Sequence, residues 1–250
     1  MHTCLPILAF IAVTILSAQL PAQDDYSVAG LRSAALQALG EGNTKDAIEN
    51  ADAMVRVAPR DPGTALQAAD IYLRAGKVEW AVRLFDRYLE SKRQDLPQLW
   101  QRGIALYFKG EYQAAARQFE VHRTVNPHDV ENAAWHFLCV AKAESPSEAK
   151  TKLLPAPGDP RPPMDEVLKM LSSGDQKIVT DKVDSLPIGS KERQSAQFYG
   201  DFYLGLYADA TGRPDDARKF MYKAAENAPR NYMGDVARVY ARHLKEENQK

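Results

Sequence analysis

The chain has 250 residues, of which 45% are hydrophobic and 26% are charged, a composition typical of an ordinary folded protein. Its 32 basic and 33 acidic residues leave a formal net charge of −1. Because Lys and Arg are scattered along the chain and do not cluster into a phosphate-binding face, nucleic acid is not an expected partner.

The N-terminal segment, residues 1–22, contains no Lys, Arg, Asp or Glu, and residues 5–16 are almost continuously apolar. This run is shorter than the roughly 20 apolar residues of a membrane-spanning helix, but it fits the core of a secretory signal peptide. Small residues that suit cleavage follow it: Ser17, Ala18 and Ala22. We expect a signal peptide at 1–22 and an exported, periplasmic or secreted protein; an uncleaved N-terminal anchor is the alternative. Cys4 precedes the apolar run, so lipid anchoring to a membrane is not supported.

Alanine recurs every 34 residues in the following part of the chain, at Ala47, Ala81 and Ala115, and again three periods later at Ala217. Twelve residues before each of these alanines stands a small residue: Ala35, Ala69, Gly103 and Gly205. Four residues after each stands an apolar residue: Ala51, Phe85, Phe119 and Met221. Proline follows three of the four alanines by twelve residues, as Pro59, Pro127 and Pro229. This periodicity indicates internal repeats.

The pattern resembles the tetratricopeptide repeat (TPR), a pair of antiparallel helices that recurs every 34 residues. The small residues let the two helices of a pair approach closely, and the proline ends the second helix. The resemblance implies an all-α fold, a right-handed α-solenoid of helix-turn-helix repeats. We place the repeats at 28–61, 62–95 and 96–129, with a partial repeat at 130–143 and a further repeat at 198–231.

The repeat pattern fails in residues 144–197. Residues 155–163 are rich in proline and predict a stiff, extended connector. Short amphipathic segments follow at about 164–172 and 176–185. We interpret 144–197 as a proline-rich connector with irregular helices that interrupts the solenoid. Residues 232–247 predict a capping helix over the last repeat, with a charged end that faces solvent.

Several aromatic and Asn-Pro positions make the resemblance narrower. They are Tyr107, Phe108, Phe119, Asn126, Pro127, Trp135, Phe198, Tyr199 and Tyr203. With these residues the chain resembles the bacterial NlpI-type TPR proteins over most of 28–240. The resemblance implies an envelope adaptor, often a homodimer, that binds partners such as proteases and cell-wall hydrolases.

In a TPR solenoid the first helix of each pair lines a concave surface, so its side chains predict a binding groove. The predicted lining is Leu66, Asp70, Trp100, Ile104, Tyr107, Phe108, Leu138, Tyr199 and Phe202. An aromatic groove suits a hydrophobic peptide or a partner helix. The alternatives are that these side chains pack against a second copy of the chain or against residues 144–197.

The sequence contains no recognisable catalytic or phosphate-binding motif, so we expect neither enzyme activity nor a cofactor. His136 and Cys139 lie three residues apart on one predicted helix, and His122 lies on the preceding helix. These three side chains could bind zinc or copper, or could activate the thiol. We favour packing roles for them, because free cysteine is usually buried. The predicted function is a non-catalytic scaffold that binds proteins or peptides, with a self-associating subunit or a metal or thiol site as alternatives.

Overall fold

The computed structural model describes residues 26–247, so the predicted signal peptide lies outside the described residues. Within this range the chain is helical and contains no β-strand. The α-helices are α1 Val28–Glu41, α2 Thr44–Val57, α3 Pro62–Ala75, α4 Val78–Ser91, α5 Trp100–Phe108, α6 Tyr112–His122, α7 Val130–Ala143, α8 Pro146–Thr151, α9 Met164–Ser173, α10 Lys177–Ser185, α11 Lys191–Ala210, α12 Pro214–Glu226 and α13 Tyr232–Glu247. A 3-10 helix, Arg93–Gln98, precedes α5. None of the helices in 26–247 is both long enough and apolar enough to cross a bilayer.

The helix ends are set by local chemistry. Asp61 caps α3, because its carboxylate accepts a hydrogen bond from the backbone N–H of Thr64 at 2.6 Å. Pro62 occupies the first helical position, where a backbone N–H has no partner within the helix. Gly42 and Gly76 end α1 and α3 in the left-handed conformation, with φ of 79° and 88°, which costs glycine no steric strain.

The helices pack in consecutive pairs: α1 with α2, α3 with α4, α5 with α6, and α11 with α12. The periodic alanines Ala47, Ala81, Ala115 and Ala217 are all fully buried. A Cβ atom added to Gly205 would lie 3.0 Å from the backbone nitrogen of Met221, so a small residue here lets α11 approach α12. The predicted all-α solenoid of helix-turn-helix repeats is confirmed.

The solenoid is interrupted after α7. The helix that pairs with α7 is α8, which has only six residues. It buries Ala149, which lies 34 residues after Ala115. The proline-rich residues 155–163 are not helical, and α9 and α10 follow them. Because α6, α8, α9 and α11 all pack against α7, almost every residue of α7 is buried.

The closing helix, α13, covers the last repeat through its contacts with α12 and also lies against α3 near the start of the chain. Arg74 of α3 forms an ion pair with Asp235 of α13 at 2.8 Å. The ring of Tyr240 in α13 lies 5.4 Å from the ring of Phe108 in α5. The C-terminal helix therefore closes the solenoid onto its own early repeats, which the sequence analysis did not predict.

Candidate binding pocket

Four residues predicted to line an open groove are core residues in the structure: Ile104, Tyr107, Leu138 and Phe202. Their predicted exposure to a partner is wrong. Tyr240 of α13 packs on Tyr107 of α5, and α7 and α11, which carry Leu138 and Phe202, pack against each other. The other five predicted residues, Leu66, Asp70, Trp100, Phe108 and Tyr199, are half-buried. Leu66 and Phe108 pack on the core, and Asp70 pairs with Arg74 at 3.8 Å. Trp100 and Tyr199 line the pocket described next.

A pocket of about 260 Å³ lies where α5, α6, α7, α11 and the start of α13 meet. Its lining residues are Trp100, Phe119, His122, Asp129, Glu131, Asn132, Trp135, Tyr199, Asn231, Tyr232 and Met233. Asn231 is exposed and Trp100, Tyr199 and Tyr232 are half-buried, so the pocket opens to solvent. Because residues 231–233 form one side of it, the pocket exists only while the start of α13 is docked.

Aromatic rings form the walls of the pocket. Trp100 meets Tyr232 edge to face, with ring centroids 4.8 Å apart. Phe119 stacks on Trp135 at 6.2 Å, with an angle of 16° between the rings. Aromatic pairs at these separations attract one another, so each ring holds its neighbour in place. Preformed aromatic walls of this kind are typical of the sites that dominate binding energy in protein interfaces.

An acidic cluster stands beside the aromatic walls. It consists of Asp129 and Glu131 at the start of α7 and Asp159 in the proline-rich segment. The guanidinium of Arg161 bridges the three carboxylates, at 2.9 Å from Asp129, 2.5 Å from Glu131 and 2.6 Å from Asp159. The hydroxyl of Tyr203 donates a further hydrogen bond to Glu131 at 2.8 Å. Three carboxylates thus share one guanidinium.

The cluster shifts the ionisation of the groups around it. Burial raises the pKa of Glu131, and the charge of Arg161 opposes that rise only in part. Burial, together with the negative charge of Glu131, raises the pKa of Tyr199 to about 12. Burial acts to raise the pKa of Asp159, but hydrogen bonds from Arg161 outweigh it and the pKa is lowered. When all three carboxylates are ionised they outnumber the one guanidinium, so negative charge is then in excess beside the pocket.

Two pocket residues on α7 each carry a buried polar atom that has no hydrogen-bond partner among the described residues. The side chain of Asn132 donates through Nδ2 to the carbonyl of Phe119 at 3.1 Å, which leaves the acceptor Oδ1 unpartnered. The indole Nε1 of Trp135, a donor, is also unpartnered. Both residues are buried, with 4% and 2% of their surface exposed. Buried polar atoms without partners are uncommon in native proteins, and a ligand is one way to satisfy them.

The structure does not bring His122, His136 and Cys139 into a reactive set. His122 donates through Nδ1 to the carbonyl of Pro97 at 2.7 Å, and His136 donates through Nε2 to Glu120 at 3.2 Å. Within residues 26–247 no three His, Cys, Asp or Glu side chains are placed to hold a metal ion. Burial raises the pKa of the Cys139 thiol well above its usual value. The alternative of an activated thiol is therefore wrong, because activation requires a lowered pKa.

His136 is expected to make the fold sensitive to mild acid. Burial lowers its pKa, and the hydrogen bond to Glu120 opposes that shift only in part. A lowered pKa in the folded state means that the unfolded chain binds the proton more readily. Stability from neutral His136 is therefore present above the unfolded value near 6.5 and lost as pH falls through the folded-state pKa.

The measurement is the free energy of unfolding in urea at pH 7.5 and at pH 5.5. The variant His136→Phe should lose less stability than the native chain between these two conditions. The matched control is His128→Gln, at an exposed histidine, which should keep the native pH dependence. If His136→Phe also keeps it, the buried imidazole is not the source of the acid sensitivity.

Most residues of the pocket lining were not predicted, although the sequence at one position, Trp135, pointed to this part of the fold. Trp135 occupies the same position in its repeat as Ser33, Gln67 and Gln101 do in the three earlier repeats, at intervals of 34 residues. A tryptophan at a repeat position that is polar in the earlier repeats indicates that the fourth repeat packs there against an element that the earlier repeats do not contact. In the structure Trp135 meets Phe202 of α11, with ring centroids 6.1 Å apart.

Comparison with known families and proteins agrees with the repeat architecture. The tetratricopeptide repeat family matches residues 38–102, from the end of α1 to the start of α5. No curated protein matches the chain, so the narrower resemblance to the NlpI-type proteins stays a prediction. Residues 38–102 are thus similar in sequence to TPR repeats, and the packed helix pairs continue the same architecture on both sides of them.

Proposed function

We propose that the protein is a non-catalytic scaffold of the bacterial envelope that binds partner proteins or peptides at the aromatic pocket. The observation that carries the proposal is the pocket itself, an open site with aromatic walls and buried polar atoms that lack partners. TPR repeats generally mediate protein–protein interaction, and the family match at residues 38–102 supports that role here.

The envelope location rests on the apolar segment in residues 5–16, which we interpret as the core of a signal peptide. Envelope proteases and cell-wall hydrolases are the partner classes that the NlpI-type resemblance implies. A scaffold without its own chemistry also agrees with the packing roles of His122, His136 and Cys139. Self-association through the same pocket is the alternative, because a partner could be a second copy of the chain.

The proposal predicts that the double variant Trp100→Ala, Tyr199→Ala loses its partners. Removing two aromatic residues at the centre of an interface should weaken binding by about 30-fold or more. The matched control is Trp80→Ala, Tyr222→Ala, which removes the same residue types from exposed positions outside the pocket lining. The measurement is a pull-down from envelope extract, followed by the affinity of each recovered protein after purification.

Three outcomes are informative. Proteins that bind the native chain and the control, but not the pocket variant, support a scaffold that uses this pocket. Equal recovery by all three chains contradicts the proposal. A native chain that sediments as a dimer, while the pocket variant sediments as a folded monomer, favours self-association instead. Circular dichroism verifies that each variant is folded.

A further inference from the structure

The groups beside the pocket favour a positively charged guest. When Asp129, Glu131 and Asp159 are ionised, Arg161 neutralises one of their three charges. The unpartnered Oδ1 of Asn132 is a hydrogen-bond acceptor, so a ligand with a hydrogen-bond donor would satisfy it. A hydrogen-bond donor with a positive charge satisfies both the excess charge and the free acceptor.

The aromatic walls select the kind of cation. The faces of Trp, Tyr and Phe attract cations through the ring quadrupole, and Trp attracts them most strongly. A guanidinium is planar, so it stacks on such faces while its edge donates up to five hydrogen bonds, whereas an ammonium is a compact and strongly hydrated charge. Flat walls beside several acceptors therefore fit a guanidinium better than an ammonium.

A cation already lies near one wall without cancelling this preference. The guanidinium of Arg74 is 5.3 Å from the ring of Tyr232. Its charge is balanced by Asp235 at 2.8 Å and by Asp70 at 3.8 Å. The surroundings of Tyr232 thus do not repel a second cation that approaches from the pocket side.

We propose that the pocket binds the guanidinium of an arginine side chain carried by a partner protein. This inference rests on the proposed function, because it names the ligand of the same pocket. The volume of about 260 Å³ agrees with it. A cavity of about 150 Å³ accepts one benzene molecule, and pockets for drug-sized ligands start at about 300 Å³. The pocket therefore has room for one long side chain. The unpartnered Nε1 of Trp135 can donate to a backbone carbonyl of the same partner segment.

The test uses N-acetyl-arginine methylamide as the probe and N-acetyl-citrulline methylamide as its uncharged control of nearly the same shape. The protein has three tryptophans, and their indole N–H signals report binding in a ¹⁵N-labelled NMR sample. Trp100 and Trp135 line the pocket, while Trp80 is 51% exposed and is not part of the lining. Trp80 therefore serves as an internal control.

The arginine compound should shift the signals of Trp100 and Trp135 saturably, with a dissociation constant on the order of 1 mM. The citrulline compound should bind at least about tenfold more weakly, since it lacks the charge. The variant Asp129→Asn should weaken arginine binding about tenfold, the effect of losing one charge-assisted hydrogen bond. Asparagine caps a helix as well as aspartate does, so the start of α7 is preserved. Asp215→Asn, at an exposed aspartate, should bind like the native chain.

Equal binding of the arginine and citrulline compounds overturns the inference, and so does unchanged binding by Asp129→Asn. The comparison of the two compounds uses the native chain, so it does not depend on how any variant folds. If the arginine compound fails while Trp100→Ala, Tyr199→Ala still loses its protein partners, the pocket is a scaffold site for another ligand class. If arginine binds but the double variant keeps its partners, the pocket does bind a guanidinium, but partner proteins do not bind there, and both the proposed function and the assignment of the arginine to a partner protein are wrong.

Discussion

Replacing Arg74 with methionine is expected to lower the free energy of unfolding by about 3 kcal/mol. Arg74 donates from Nε and Nη2 to one carboxylate oxygen of Asp235, both at 2.8 Å. The Asp235 side chain is 7% exposed, and burial raises its pKa even though Arg74 opposes the shift. Removing the guanidinium leaves a buried carboxylate with a weaker set of partners. We place the loss at the low end for a buried pair because Arg238 still contacts Asp235 at 3.0 Å.

The pair Lys177 and Asp181 provides the matched control. Its charged atoms lie only 2.5 Å apart, closer than those of Arg74 and Asp235, but its side chains are 75% and 60% exposed. Lys177→Met should therefore lower the free energy of unfolding far less than Arg74→Met does, as for most exposed helical pairs. The contrast decides whether burial or distance sets the strength of an ion pair in this fold.

A second variant isolates the pairwise interaction. Asp235→Asn removes the charge and keeps the shape of the side chain, and it should partly rescue Arg74→Met. The loss in the double variant should be smaller than the sum of the two single losses by about 1–3 kcal/mol. Urea unfolding of the four chains gives this coupling energy. Strictly additive losses would mean that Arg74 and Asp235 do not hold α13 to α3.

The repeat architecture could be predicted because it depends on contacts between residues close in sequence. Ala47, Ala81 and Ala115 are buried wherever the two helices of a pair cross, so one packing requirement recurs every 34 residues. Helix ends also depend on residues close in sequence, as the caps of α3 at Asp61 and Gly76 show. Packing within a helix pair and the capping of its helices can therefore be predicted from the sequence of a single repeat.

The docking of α13 could not be predicted, because it depends on partners far apart in sequence. Arg74 and Asp235 are separated by 161 residues, and nothing local in either helix specifies the other. The aromatic residues of α5 were therefore predicted to face an open groove. In the structure the hydroxyls of Tyr107 and Tyr240 lie 3.2 Å apart, and Tyr240 also donates to Asp209.

The pocket likewise combines residues that could be predicted from local sequence with residues that could not. Trp100 and Tyr199 could be predicted as candidate binding residues because they are aromatic and lie on the first helix of a pair. The acidic cluster could not, because it forms only when the proline-rich segment returns to α7 and places Arg161 between Asp159 and Glu131. The path of that segment is set by tertiary contacts, and local sequence only excludes a helix there.

Replacing Gly234 with alanine is expected to destabilise the protein by about 3 kcal/mol or more. Gly234 lies in the first turn of α13, and its amide donates to the side chain of Asn231 at 2.9 Å. A Cβ atom at this position would lie 1.9 Å from the carbonyl oxygen of Pro229. The clash involves backbone on both sides, so no side-chain rotation relieves it. Either the backbone at the junction between α12 and α13 must move, or α13 must undock from the helices it packs against.

The control is Gly40→Ala, a helical glycine in α1 with no atom within 4 Å of the added Cβ. It should stabilise the chain by about 0.5–1 kcal/mol, because alanine loses less backbone entropy than glycine on folding. Both variants are measured by urea unfolding beside the native chain. If Gly234→Ala unfolds at the same urea concentration as the native chain, the α12–α13 junction is not tightly packed.

Because Asn231, Tyr232 and Met233 precede Gly234 and line the pocket, the Gly234→Ala variant should also lose ligand binding under conditions where the repeats remain folded. Loss of binding without loss of helix would show that the chain builds its pocket by docking its own C-terminal helix.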